Sequence, residues 1–173
     1  TLMLRALAPD LIVPVLRPYR SRGETGTWFR DPTVIAMMEE RLRRGGYAGI
    51  GEFHIFGKDA DGPVFREVVG LAKKYGIFLH AHSDADAVDR IFVQDPSATV
   101  LWAHSGFVEP DVIRPMLAKH RRLWSDLAFR SDHAQGGTVD PAWRRLFEDF
   151  PDRFMIGTDT YTPERWYFVE ENA

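Results

Sequence analysis

Imidazole and carboxylate side chains recur in this sequence at the ends of short apolar runs. Glu52 and His54 close the run 48–54, His80 and His82 close 77–82, His104 closes 99–104, and Asp159 directly follows 154–158. Imidazole nitrogen and carboxylate oxygen are the ligands expected of zinc and similar divalent ions. An ion held by them polarises a carbonyl and acidifies a bound water, so the chemistry these residues point to is metal-assisted hydrolysis. In an extended strand residues i and i+2 share a face, roughly 6.6 Å apart along the strand. Glu52 and His54 therefore point the same way at different depths. So do His80 and His82, of which His82 is the nearer to the strand's C-terminal end.

The elements that must position these residues alternate along the chain. Strands are expected at 11–16, 48–54, 77–82, 99–104, 123–127 and 154–158. A helix follows each. Asp31-Pro32 opens the first as N-cap and first helical residue, and Gly45-Gly46 ends it. Further helices are expected at 62–75, 84–93 and 110–119, from Asp140-Pro141 through Trp143 and Leu146, and from Thr162-Pro163 onward. Continuous apolar strands alternating with helices predict a parallel sheet covered on both faces, in an α/β chain. A doubly wound sheet and a TIM barrel both satisfy this pattern. No glycine-rich phosphate or dinucleotide fingerprint follows any strand, which removes the common open-sheet ligand signatures. In a barrel all strand C-termini share one mouth, where residues scattered along the chain would converge.

Gly51-Glu52, His82-Ser83, Ala103-His104-Ser105-Gly106 and Gly157-Thr158-Asp159, in that order, resemble the amidohydrolase superfamily. The nearest branches are the amidohydrolase-2 type, which includes decarboxylases and lactonases, and the TatD-like hydrolases. The resemblance spans about 12–166. It implies a (β/α)₈ TIM barrel with a divalent metal, zinc by default. Carried over residue by residue, it makes Glu52, His82, His104 and Asp159 metal ligands, with His54 and His80 as further candidates. Asp159 is also the implied catalytic group, accepting a proton from the metal-bound water and passing it to the leaving group. The family's first strand carries two further ligands in a His-x-His or His-x-Asp pattern, and nothing before Leu11 supplies them. The chain is therefore expected to be a single domain, 1–173, forming an incomplete barrel of strands three to eight. Open strand edges would favour self-association into a homo-oligomer.

Around this set, Arg17 and Arg20 could grip a substrate carboxylate, and Trp28 with Phe29 could form an apolar lid. Asp126 fits either the mouth or a structural acceptor, and His133 lies in a glycine-rich loop. The expected reaction is hydrolysis of a C–N or C–O bond in a small molecule. Alternatives are TatD-like phosphodiester hydrolysis, metal-dependent decarboxylation, and a degenerate barrel without catalysis. Composition narrows the rest. The 173 residues are 45% apolar and 27% charged, with 12 Phe and 5 Trp, as suits a globular core. A formal charge of -3 provides no basic field for nucleic acid. The absence of cysteine excludes disulfides, thiolate metal sites and a thiol nucleophile. No apolar run reaches the ~18 residues of a membrane span, and no signal peptide is evident, so the cytoplasm is the default compartment.

Overall fold

Capping chemistry sets the helix starts. The computed structural model describes residues 2–165, and within it the chain forms two compact units, 1–100 and 101–173. In the first unit, the Asp31 carboxylate accepts from the backbone N–H of Thr33 at 2.9 Å, at the start of helix α2 (Thr33–Arg44). Pro63 begins α3 (Pro63–Tyr75), which ends at Gly76 in the left-handed conformation, φ 63°. Asp84 caps α4 (Ala85–Gln94) by accepting from Ala87 N at 2.8 Å. These helices bury one stripe each, including Met38 and Leu42 of α2, Phe65 and Val68 of α3, and Val88 and Ile91 of α4. A short helix not expected from the sequence, α1 (Leu2–Leu7), precedes them and buries none of its residues.

Strands β1 (Val15–Leu16), β2 (Gly49–His54) and β3 (Phe78–His82) pair in parallel, β1 with β2 and β2 with β3. The first strand is shorter than the expected 11–16. Leu11 and Val13 are 83% and 65% exposed, and the ladder begins only where the Pro14 carbonyl accepts from Ala48 N. Pro14 itself has no N–H to contribute. Beneath β2 lies an aromatic core in which Trp28, Phe53 and Phe65 meet with centroids 5.2–6.1 Å apart. Strand β4 (Val100–Trp102) spans the junction between the units.

In the second unit, α5 (Pro110–Lys119) precedes β5 (Leu123–Asp126). A two-stranded hairpin, β6 (Ala134–Gln135) and β7 (Thr138–Val139), follows. Gly136 and Gly137 both take positive φ at its tip, as tight hairpin turns require. Asp140 caps α6 (Pro141–Asp149) as the sequence predicts, accepting from Ala142 and Trp143 N–H. Strand β8 (Phe154–Met155) pairs in parallel with β5. The expected strand 154–158 thus keeps two ladder residues, and where the expected final helix opens there is a 3₁₀ turn, Pro163–Arg165; the rest of that expected helix lies outside the described residues. The alternation of helices with parallel strands is that of an α/β protein. Among the described residues no helix is long and apolar enough to cross a membrane.

Gly70 lies on the exposed face of α3, and a Cβ there would meet nothing within 4 Å. Gly70→Ala is expected to raise stability by about 0.5–1 kcal/mol through helix propensity and a less disordered unfolded chain. Urea unfolding midpoints of the two proteins check this.

Candidate functional site

Strand β2 does not pair evenly with β3. Gly51 stands opposite His80, but Phe53 stands opposite Ala81, so two steps along β2 match one along β3. Glu52 is the extra residue of this bulge. The slip brings His54 level with His82. Phe53 and Ala81 point into the core at 0% exposure, and Glu52, His54 and His82 occupy the opposite face. Gly51 takes φ 145°, and a Cβ on it would lie 2.2 Å from the His80 carbonyl oxygen, so the close approach of the two strands requires glycine here.

The three polar side chains converge. His82 Nδ1 lies 2.7 Å from Glu52 Oε1, and His54 Nε2 lies 4.0 Å from the same oxygen. The two imidazoles stack at 4.0 Å with planes 20° apart. One ligand atom from each residue falls within 4.8 Å of the others. A tetrahedral zinc with bonds of ~2.0–2.2 Å separates its ligands by roughly 3.4 Å, so a donor set with one ligand atom of each residue within 4.8 Å of the others fits a divalent ion after side-chain adjustment. With Glu52 ionised, His82 Nδ1–H donates to it and the lone pair resides on Nε2, an assignment made from partners. His80 lies deeper, level with Gly51, and is not one of the three.

Neighbouring groups fix the backbone that carries the cluster. Trp28 Nε1 donates to the His54 carbonyl at 3.0 Å, and Tyr19 Oη donates to the Glu52 carbonyl at 3.4 Å. Asp84 Oδ1, besides capping α4, accepts from Gly57 N at 3.0 Å and so ties the segment after β2 to the one after β3.

His104 occupies a second arrangement, within the second unit. The expected strand 99–104 stops at Trp102, and 103–107 form a turn in which His104, Ser105, Gly106 and Phe107 all take φ between 51° and 63°. Such backbone costs about 1–3 kcal/mol per non-glycine residue and persists only where surroundings over-determine it. Asp126 Oδ1 accepts from His104 N at 2.9 Å and from Ala128 N at 3.0 Å. Ser105 Oγ donates to the Asp126 carbonyl, and Ser125 Oγ donates to Ser105 Oγ. A Cβ on Gly106 would lie 2.3 Å from Trp102 Cζ2. His104 is 3% exposed, and its Nδ1–H donates to the Ala128 carbonyl at 2.9 Å. In the neutral ring that bond puts the lone pair on Nε2, the state a ligand or a base needs.

Asp126 is the structural acceptor just described. Asp159 takes φ 46°, and its carbonyl accepts from Tyr161 N and Arg165 Nε. Trp28, expected at a lid, is 1% exposed in the aromatic core. Arg20, expected to grip a substrate, is taken up by Glu24 at 3.0 Å and Asp31 at 2.5 Å. Thr33 and Arg20 hold the Asp31 carboxyl below the ordinary carboxylate range. Arg17 is exposed and lies over the Tyr19 ring, beside a cavity of about 580 Å³ that Arg41 and Tyr47 also line. Sequence reasoning missed Arg130, whose side chain is 4% exposed and whose guanidinium grips Asp132 with two bonds. An Arg two residues before an Asp, ahead of the Trp143 helix, is the one signal the sequence offers for it.

No family model and no curated protein matches the sequence. Among solved structures, an uncharacterised TIM-barrel protein of Bordetella bronchiseptica superposes on 98% of this chain with a TM-score of 0.64 at 13% identity. The chain spans 62% of that protein's length. A probable 2-pyrone-4,6-dicarboxylic acid hydrolase of Acinetobacter baumannii aligns over 94% of this chain and 73% of its own, with a TM-score of 0.49 at 12% identity. The first likeness shows the fold: this is a TIM-barrel chain of the α/β class. Identity at this level carries nothing about activity.

Gly106→Ala is expected to cost about 2–3 kcal/mol by overpacking against Trp102, with a matching fall in urea midpoint. The Arg130 guanidinium holds the Asp132 carboxyl below the ordinary carboxylate range. A depressed carboxyl stabilises the fold above its unfolded pKa and loses that contribution as pH falls through the depressed value. The stability gap between the wild type and Asp132→Asn should therefore be open at pH 7 and close as pH drops below the ordinary aspartate pKa of about 3.9. A gap independent of pH would contradict it.

Proposed function

We propose that the chain belongs to a metal-dependent hydrolase acting on a C–N or C–O bond of a small molecule, with Glu52, His54 and His82 holding a divalent ion, zinc by default. The convergence of these three donors on one face of β2 and β3 supports the reading. An ion bound there would supply a polarised carbonyl and a water acidic enough to be ionised near neutral pH. The chain's own residues set the conditions for that chemistry. Glu52 balances part of the charge and orients the His82 ring, and carboxylate–imidazole pairs of this kind raise ligand basicity. The stacking of His54 on His82 restricts both rings before binding, which lowers the cost of ordering them. Protonation of either imidazole opposes binding, so metal affinity depends on pH.

The sequence motifs, rather than this cluster, bring His104 and Asp159 into the proposal. His104 contributes an imidazole with its lone pair on Nε2. Asp159 is the proton acceptor, taking a proton from water and returning it to the leaving group.

Zinc titration of the full chain by calorimetry is expected to show one site. Glu52→Gln and His82→Ala should each weaken it by about 10–100-fold, the range for removing a ligand's partner or more. His80→Ala should leave affinity nearly unchanged. Wild-type affinity in both Glu52→Gln and His82→Ala would remove the cluster from the proposal. Against a panel of lactones, amides and phosphodiesters, turnover should appear with lactones or amides. Asp159→Asn should lower it by about 10²–10⁴-fold.

A further inference from the structure

The left-handed turn that carries His104 has a clamp that no expectation drawn from the sequence assigns. Arg130 Nη1 donates to the His104 carbonyl at 3.2 Å and to the Val108 carbonyl at 2.9 Å. These two acceptors bracket the run of positive-φ residues 104–107. The remaining edge of the guanidinium is held by Asp132, with Nε donating to Oδ1 at 2.9 Å and Nη2 to Oδ2 at 2.6 Å. Asp132 is itself fixed by Trp143 Nε1–H at 3.1 Å, and the Trp143 ring lies under the guanidinium, 4.6 Å from centroid to Cζ. Trp143 is 2% exposed in α6. The clamp therefore runs from the core of α6, through Asp132 and Arg130, to the backbone oxygen of His104.

We propose that Arg130 is the positioning residue of His104: it holds the 104–107 turn in its left-handed form and so keeps Nδ1–H of His104 on the Ala128 carbonyl, with the lone pair on Nε2. The physical need is specific. Three non-glycine residues in this conformation store strain that the chain would release by relaxing the turn. Asp126 restrains the turn at its N–H side. On the carbonyl side, the hydrogen bonds from Arg130 meet both ends of the run. A lysine point charge cannot span two carbonyls and a carboxylate in one plane, whereas the planar fork of arginine can. Arg130 is not a substrate ligand in this arrangement. Four donor–acceptor contacts already engage it, and its side chain is 4% exposed.

The inference rests on the reading of His104 as a working imidazole, and its test does not depend on turnover or metal. Long-range ¹H–¹⁵N spectra of the labelled full chain report the tautomer of each histidine. In the wild type His104 is expected in the Nδ1–H tautomer with a slowly exchanging ring proton. In Arg130→Met, with far-ultraviolet circular dichroism unchanged, the Nε2–H tautomer should appear and exchange of the ring proton should quicken by about tenfold, the scale of one lost hydrogen bond. Arg130→Lys should fall between the two. A folded Arg130→Met protein with the wild-type tautomer and exchange rate overturns the proposal. If that variant does not fold, the wild type decides. Slowly exchanging Arg130 Nη protons, with correlations across hydrogen bonds to the 104 and 108 carbonyls, support it, and exchange at the rate of a free guanidinium overturns it. Absence of zinc binding or hydrolysis would count against the proposed function and leave these spectra as they are.

Discussion

A carboxylate set between two imidazoles organises the first half of this chain. Glu52 keeps 18% of its side chain exposed, and withdrawing an ionised carboxyl that far from water is costly unless partners replace the solvent. His82 provides one partner at 2.7 Å. The geometry exists because of a single extra residue. With even pairing from Gly51 and His80 onward, Phe53 would stand beside His82 and His54 beside Ser83. The bulge at Glu52 moves His54 back one place, so the two rings come level and stack. Trp28, Tyr19 and Asp84 hold the backbone on either side of that slip. The core beneath β2 therefore does more than exclude water, since its largest aromatic also fixes a carbonyl of the cluster.

The second half carries a different device. No residue there joins the Glu52 cluster among the described metal-binding groups; what stands out is an imidazole whose orientation is imposed by backbone strain. Asp126 pins the N–H side of the His104 turn, Gly106 lets the chain pass against Trp102, and Ala128 receives the ring proton. A histidine with one nitrogen committed to a carbonyl is a uniform reagent at the other. Both devices use the same principle: a polar group is kept in one state by neighbours that are themselves buried and committed.

Much of this was legible in the sequence, for identifiable reasons. Apolar runs alternating with amphipathic helices gave the α/β class, and Asp84, Asp140, Gly76 and Pro63 mark helix ends by local chemistry that tertiary structure had no reason to override. The i, i+2 rule put Glu52 and His54 on one face, and proximity to the strand end favoured His82 over His80. The bulge could not be foreseen, because register depends on how β2 meets β3 and not on either strand alone. The turn at 103–107 was hidden for a similar reason: Ala103-His104-Ser105 reads as the end of a strand, and it is contacts with residues distant in the chain, Asp126 and Arg130 among them, that hold it in the left-handed region. Trp28 lies in the core and Arg20 in an ion-pair cluster, since aromatic and cationic side chains near a strand end serve packing and ion pairs as readily as ligands.

The most direct test of the central claim is X-ray absorption at the zinc edge on the zinc-loaded full chain, paired with anomalous scattering from its crystals. The account predicts one ion bonded to imidazole nitrogen and carboxylate oxygen at about 2.0–2.2 Å, with the anomalous peak beside Glu52, His54 and His82. An ion bound only by water and surface carboxylates, or a peak away from these three residues, would contradict it.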